Sequence, residues 1–124
     1  MFNGKEVIVK LSQEANEVYE ELNKIVGDEK LKGIESSFHQ SLLRSIHRVR
    51  NLIKQNPFVG DQVPKKQIPR KYTLKYDVDN VWRIELTDRW RLVYTISGNR
   101  VEIITFIIDI FDHKEYDKVF GYKH

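Results

Sequence analysis

The chain predicts an α+β fold: two N-terminal helices packed on one face of a three- to four-stranded, mainly antiparallel sheet, followed by a short C-terminal helix. Two observations carry this expectation. Apolar residues recur at helical spacing as far as Gln55, and at a spacing of two beyond Pro69. Two consecutive amphipathic helices need one apolar surface to cover, and a meander of strands supplies it.

Taken in order, Val7 to Leu11 alternates weakly and favours β-branched residues, which reads as a strand ending at Ser12, a good helix N-cap. Ala15, Val18, Tyr19, Leu22, Ile25 and Val26 then repeat every 3.6 residues, and Gly27 stands where a left-handed C-terminal residue is expected. A second helix, about 35 to 55, aligns Phe38, Leu42, Ile46, Val49 and Ile53 on one stripe and ends before Pro57. Its other faces carry His39, Arg44, His47, Arg48 and Lys54, a basic ridge. Residues 57 to 69 hold three prolines, Gly60 and Lys65-Lys66 without apolar period, as expected of a long loop.

Beyond the loop, Tyr72, Leu74 and Tyr76 alternate with Lys71, Thr73 and Lys75. A turn at Asp77 to Asn80 and the alternation of Trp82, Ile84 and Leu86 with Arg83 and Glu85 complete an expected β-hairpin. Thr87-Asp88-Arg89 turns again, Trp90 to Ile96 forms the next strand, and Ser97-Gly98-Asn99 leads into a strand from Val101 to Phe111. Nearly continuous apolarity there marks a central strand covered on both faces or contacting a partner. Asp112, with Glu115 three residues on, forms a capping box for a last helix ending near Gly121. On this reading Arg83, Glu85, Arg91, Val93 and Thr95 share the sheet face with no helix left to bury it.

Composition narrows the function classes. With 124 residues, 40% hydrophobic and 31% charged, the expectation is one domain spanning 1 to 124. The longest apolar run, Ile103 to Phe111, is far short of the ~20 residues of a membrane-spanning helix, so no membrane role is expected. No secretory leader precedes the first strand, and a cytoplasmic protein is the expectation. Absence of cysteine excludes disulfides, thiolate metal sites and a cysteine nucleophile. No Gly-rich phosphate loop or serine nucleophile elbow occurs. His39 and His47 share a helix side without a third ligand at metal spacing, so neither metal nor other cofactor is expected.

The net charge of +3 is unevenly distributed. Residues 35 to 76 hold nine basic and two acidic residues, whereas both flanking segments are net acidic. Arg44, Arg48, Lys54, Lys65, Lys66, Arg70, Lys71 and Lys75 in this belt are the candidate RNA-binding residues, since phosphate contacts need charge more than exact geometry. A solvated helix face followed by a basic loop is the structural alternative.

The segments Trp82-Arg83-Ile84-Glu85-Leu86, Trp90-Arg91-Leu92-Val93-Tyr94 and Asp112-His113-Lys114-Glu115-Tyr116, in this order after two amphipathic helices, resemble the RelE/ParE superfamily of toxins from toxin–antitoxin pairs, the RelE branch more than the gyrase-poisoning ParE branch. The resemblance covers nearly the whole chain. It implies metal-independent cleavage of messenger RNA on the ribosome, by attack of a ribose 2′-hydroxyl on the adjacent phosphate. It also implies a cognate antitoxin that silences the toxin, with a toxin–antitoxin heterotetramer as one possible assembly.

Such a reaction requires a base, cations for the phosphorane and an acid for the departing 5′-oxygen. Arg91 is the candidate phosphate clamp and Arg83 a second one. His113 is the candidate base or acid, and Tyr116 a group that stacks on a base or orients the phosphate. Glu85 stands where the family usually has a second basic residue; it can act as a base or neutralise Arg83 or Arg91. The structural alternatives are an ion pair of Arg91 with Glu85 or Asp88, and a Tyr116 that anchors the last helix. A ParE-like or catalytically decayed toxin acting by protein binding, and a non-catalytic RNA-binding module, are the competing functions.

Overall fold

Ser12 joins the first two elements. In a computed structural model of the chain, which describes residues 1–121, strand β1 (Glu6–Leu11) passes into helix α1 (Gln13–Leu31) through this residue. Its hydroxyl accepts from the Ala15 amide at 3.0 Å and donates to the Ile108 carbonyl at 2.6 Å, so the cap also fastens the helix to the sheet. Gly27 does not end α1. It lies on an exposed face with ordinary helical backbone, and the left-handed residue is Gly33, with φ +77°. Helix α2 (Phe38–Gln55) starts three residues later than the apolar pattern suggested, because Ser37 caps it by accepting from the Gln40 amide at 3.1 Å.

The sheet has five strands in the order β1-β5-β4-β3-β2: β2 is Asp61–Gln62, β3 Trp82–Glu85, β4 Arg91–Gly98 and β5 Glu102–Phe111. Strand β1 runs parallel to β5, and the other pairings are antiparallel. The strand count exceeds four because β1 joins the meander at one edge. At the other edge the 57–69 segment contributes the two-residue β2, followed by a 3-10 turn over Lys65–Gln67. Gly60 permits that docking: a Cβ on it would lie 2.8 Å from both the Arg83 carbonyl oxygen and the Tyr94 hydroxyl.

The segment read as the first strand of a hairpin is instead helix α3 (Arg70–Tyr76), so that expectation is corrected. Tyr72 and Tyr76 are two apart from Leu74 but four apart from each other, and helical spacing wins. Tyr72 is 1% exposed while Leu74 is 74% exposed, the reverse of a shared strand face. The place of the missing strand is taken partly by Asn80, whose amide donates to the Ile96 carbonyl at 2.8 Å and accepts from the Ile96 amide at 2.9 Å.

Both faces of the sheet are covered. Helices α1 and α2 bring Leu22, Leu42, Ile46 and Ile53 against Leu92, Tyr94, Ile107 and Ile110. On the other face, α3 and α4 (His113–Phe120) bring Tyr72, Tyr116 and Phe120 against Val93, Ile108 and Phe111. The expectation that this second face stays open is therefore corrected along Val93 and Thr95, both buried. The cause is that residues 70–76 form a helix where the alternation at 72–76 implied a strand, and this helix joins the expected C-terminal one over the face. A β-bulge at Val93/Tyr94 shifts the register with β5 and turns the consecutive Ile108 and Asp109 towards α3. The apolar β5 lies between β1 and β4, as its sequence required.

Candidate active site

Pairing of β3 with β4 sets Arg83 against Val93 and Glu85 against Arg91, so the three charged side chains occupy one sheet face. Arg91 in turn pairs with Phe111 at the end of β5, and α4 begins two residues later. Asp112 caps that helix by accepting from the Glu115 amide at 2.9 Å, and Gly121, with φ +72°, terminates it. The capping box read from sequence thus fixes where α4 leaves the sheet.

One turn into α4, Tyr116 lands beneath both arginines. Their Cζ atoms lie 5.8 Å (Arg83) and 5.5 Å (Arg91) from its ring centroid, and the Arg83 guanidinium donates to its hydroxyl. Tyr116 is 2% exposed, stacked on Phe120 at 4.4 Å and edge-on to Phe111 at 5.9 Å. Its ring is a floor for the guanidiniums, and no base can stack on it.

Arg91 is held from behind. Its Nη1 donates to the Arg89 carbonyl at 2.7 Å and lies 3.4 Å from both the Trp90 carbonyl and the Glu85 carboxylate. The ion pair with Glu85 is therefore present; it is loose and half-exposed, in the range where such pairs contribute little stability. His113 is the first residue of α4, partly buried, three positions before Tyr116 and so one turn away on the helix surface. The structure brings together Arg83, Glu85, Arg91 and Tyr116; among the described residues no hydrogen bond or ion pair joins His113 to either arginine.

The basic belt divides in two. Arg44, Arg48 and Lys54 lie on the outer side of α2, exposed, on one side of the sheet. Arg70, Lys71 and Lys75 lie on α3, over the opposite face, with Lys65 and Lys66 on the 3-10 turn before it. Lys75 is ion-paired with Glu14 of α1, and Lys71 Nζ sits 5.7 Å over the Tyr72 ring.

Beside α3, sequence reasoning missed a polar cluster. The Tyr72 hydroxyl donates to Asp109 at 2.6 Å; burial pushes the Asp109 carboxyl above the usual carboxylate range and pushes the Tyr72 hydroxyl up as well. Asp109 was legible as an interruption of an apolar strand, but its partner required α3 to be a helix. Nearby, hydrogen bonds from Lys75, the α1 backbone and Tyr76 hold Glu14 down at about 2.

Among solved structures, the chain is similar to a YoeB/ParE toxin from Agrobacterium tumefaciens, with a TM-score of 0.55 over 86% of this chain and 98% of that one. Their sequences are 18% identical. The fold is the RelE/ParE toxin fold. No family model matches the sequence, and no curated protein matches it. Within the RelE/ParE fold, the β3–β4–α4 corner described above carries the three segments on which the sequence resemblance rested. Among the described residues no helix is long and apolar enough to cross a membrane.

Proposed function

We propose that this RelE/ParE-fold chain is the toxin of a type II toxin–antitoxin pair and acts as a metal-independent, ribosome-dependent messenger RNA endoribonuclease. The observation that carries the reading is the convergence of Arg83 and Arg91, from adjoining strands, on the Tyr116 ring. Two guanidiniums at one spot match the paired oxygens of a phosphodiester and keep their charge at any working pH.

In the reaction, the ribose 2′-oxygen attacks phosphorus and the P–O5′ bond breaks, leaving a 2′,3′-cyclic phosphate and a 5′-hydroxyl. Arg91 and Arg83 stabilise the charge of the phosphorane. Glu85, mostly exposed beside Arg91, or His113 takes the 2′-proton, and His113 or its surrounding water returns one to the 5′-oxygen. Tyr116 acts as a positioning residue: it orients Arg83 through its hydroxyl. Arg44, Arg48, Lys54, Lys65, Lys66, Arg70, Lys71 and Lys75 bind RNA, message or ribosomal, from both sides of the sheet. The partners are the ribosome with its message and a cognate antitoxin that covers the Arg83–Arg91 face; the site of action is the cytoplasm, and residues 1 to 124 act as one domain.

Expression without an antitoxin is the test. Translation should stop, messenger RNA should acquire new 5′-hydroxyl ends, and Arg91→Ala combined with His113→Ala should restore growth. Intact messenger RNA and normal growth with the wild-type chain would sink the proposal. A second reading, a ParE-like or decayed toxin that acts by binding protein, is favoured by the Glu85–Arg91 contact at 3.4 Å, which partly neutralises the clamp. Glu85→Gln separates the two: loss of cleavage supports Glu85 as the base, whereas cleavage appearing only in the variant supports neutralisation. Salt-sensitive RNA binding with no cleavage under any condition would leave a plain RNA-binding module.

A further inference from the structure

A second cationic cleft, of about 620 Å³, opens on the α2 side of the sheet. Ser41, Arg44, Ser45 and Arg48 form one wall, and Leu86 and Thr87 form the other; no carboxylate lines it. Arg44 and Arg48 are exposed and four residues apart, so both guanidiniums leave the same side of α2. The Thr87 amide lies 3.4 Å from the Ser45 hydroxyl, which ties this wall to the helix.

Thr87 begins the turn that joins β3 to β4, and that turn is strained. Asp88 and Arg89 both have left-handed backbone, with φ of 51° and 64°, closed by a hydrogen bond from the Trp90 amide to the Thr87 carbonyl at 3.1 Å. Left-handed backbone is uncommon for residues other than glycine, and less costly for aspartate or asparagine than for arginine. Arg89 is exposed and its side chain makes no hydrogen bond or ion pair among the described residues. Its carbonyl accepts from Arg91. The turn therefore links the cleft, through Thr87, to the Arg83–Arg91 face, and it holds a guanidinium at a position where backbone conformation disfavours one.

We infer that an RNA strand bound at Arg83 and Arg91 continues over this turn, with a phosphodiester further along the strand held by Arg44, Arg48 and Arg89. The ligand is the RNA backbone, so the cleft positions the strand and does not read its sequence. The inference rests on the nuclease reading for the first phosphate, and adds the second. Asp88, exposed at the same apex, limits the net charge of the site without lining the cleft.

The test uses the full chain with an uncleavable 2′-O-methyl oligoribonucleotide and, for comparison, a dinucleotide too short to reach both sites. Arg44→Gln with Arg48→Gln should weaken the oligonucleotide about tenfold and lower the slope of log affinity against log salt by about 0.7, the loss expected for one phosphate contact on a single strand. The dinucleotide should show no such loss. Arg89→Gly should weaken the oligonucleotide while raising the melting temperature, a combination that a merely structural arginine cannot produce. Arg91→Ala should weaken the same oligonucleotide, because one strand spans both sites; independence from Arg91 would indicate a separate ribosomal RNA contact and overturn the inference. Wild-type affinity in the Arg44/Arg48 variant, or no binding by the wild type, would also overturn it. Binding that needs Arg44 and Arg48 in a chain that cuts no message would leave the cleft standing and remove the nuclease.

Discussion

At the scale of single residues, the clearest defect in packing is Thr105. It has no exposed surface, and among the described residues its hydroxyl makes no hydrogen bond. A buried unpaired hydroxyl is unfavourable, and valine has nearly the same shape, so Thr105→Val should raise stability by about 1 kcal/mol. Urea denaturation would show a higher midpoint with an unchanged slope; a lower midpoint would mean that the hydroxyl has a partner. Tyr94 is the converse case. Its buried hydroxyl donates to the Pro57 carbonyl at 2.7 Å and accepts from the Gly60 amide at 3.0 Å, and burial pushes it up to about 12. Tyr94→Phe should cost about 1–3 kcal/mol by stranding both backbone groups. Because Gly60 leads into the β2 residue paired with Arg83, the same substitution should loosen that arginine and raise the oligonucleotide dissociation constant.

At the scale of elements, α3 is where local pattern and fold disagree. Alternation of Tyr72, Leu74 and Tyr76 fits a strand, while the four-residue spacing of the tyrosines fits a helix; seven residues are too few for periodicity to choose. The burial difference can be measured. Leu74→Ala should change stability by less than about 0.5 kcal/mol, and Tyr72→Ala should cost about 3–5 kcal/mol. Comparable losses at both positions would argue for the strand. The last helix is the opposite case, since Asp112, Glu115 and Gly121 specify its start and stop through backbone hydrogen bonds that are local in sequence. That is why the start and stop of α4 follow directly from the sequence, while what Tyr116 packs against does not.

At the scale of the whole molecule, Glu14 ties the two layers together. It lies in the first turn of α1, accepts from the Tyr76 hydroxyl of α3 at 2.8 Å and pairs with Lys75 of the same helix. Its folded value of about 2 lies below the ordinary 4.5, so its contribution to stability is present above 4.5 and is lost as pH falls towards 2. Asp109 has the opposite sign. Its value is raised by burial, so its ionised form opposes folding at neutral pH and that cost is relieved as pH falls through the raised value. Glu14→Gln should therefore lower the melting temperature at neutral pH, with the deficit closing near pH 2. Asp109→Asn should raise it at neutral pH, with the advantage shrinking in acid. Thermal unfolding across the acid range would check both, and parallel curves for wild type and variants would reject the assignments.

The sequence by itself determined the order of most elements, the two amphipathic helices, the central β5 and the capped C-terminal helix, because helix spacing, caps and hairpin turns are written in neighbouring residues. It also determined that Arg83, Glu85 and Arg91 share a face, since alternation along strands is local. Tertiary structure decided the rest: that β1 pairs in parallel with β5, that α3 closes the second face, that the basic belt is split by the sheet, and that Tyr116 lies under the arginines instead of open to a base. Those outcomes depend on which distant segments compete for the same apolar surface, and that competition is resolved by packing the whole chain at once.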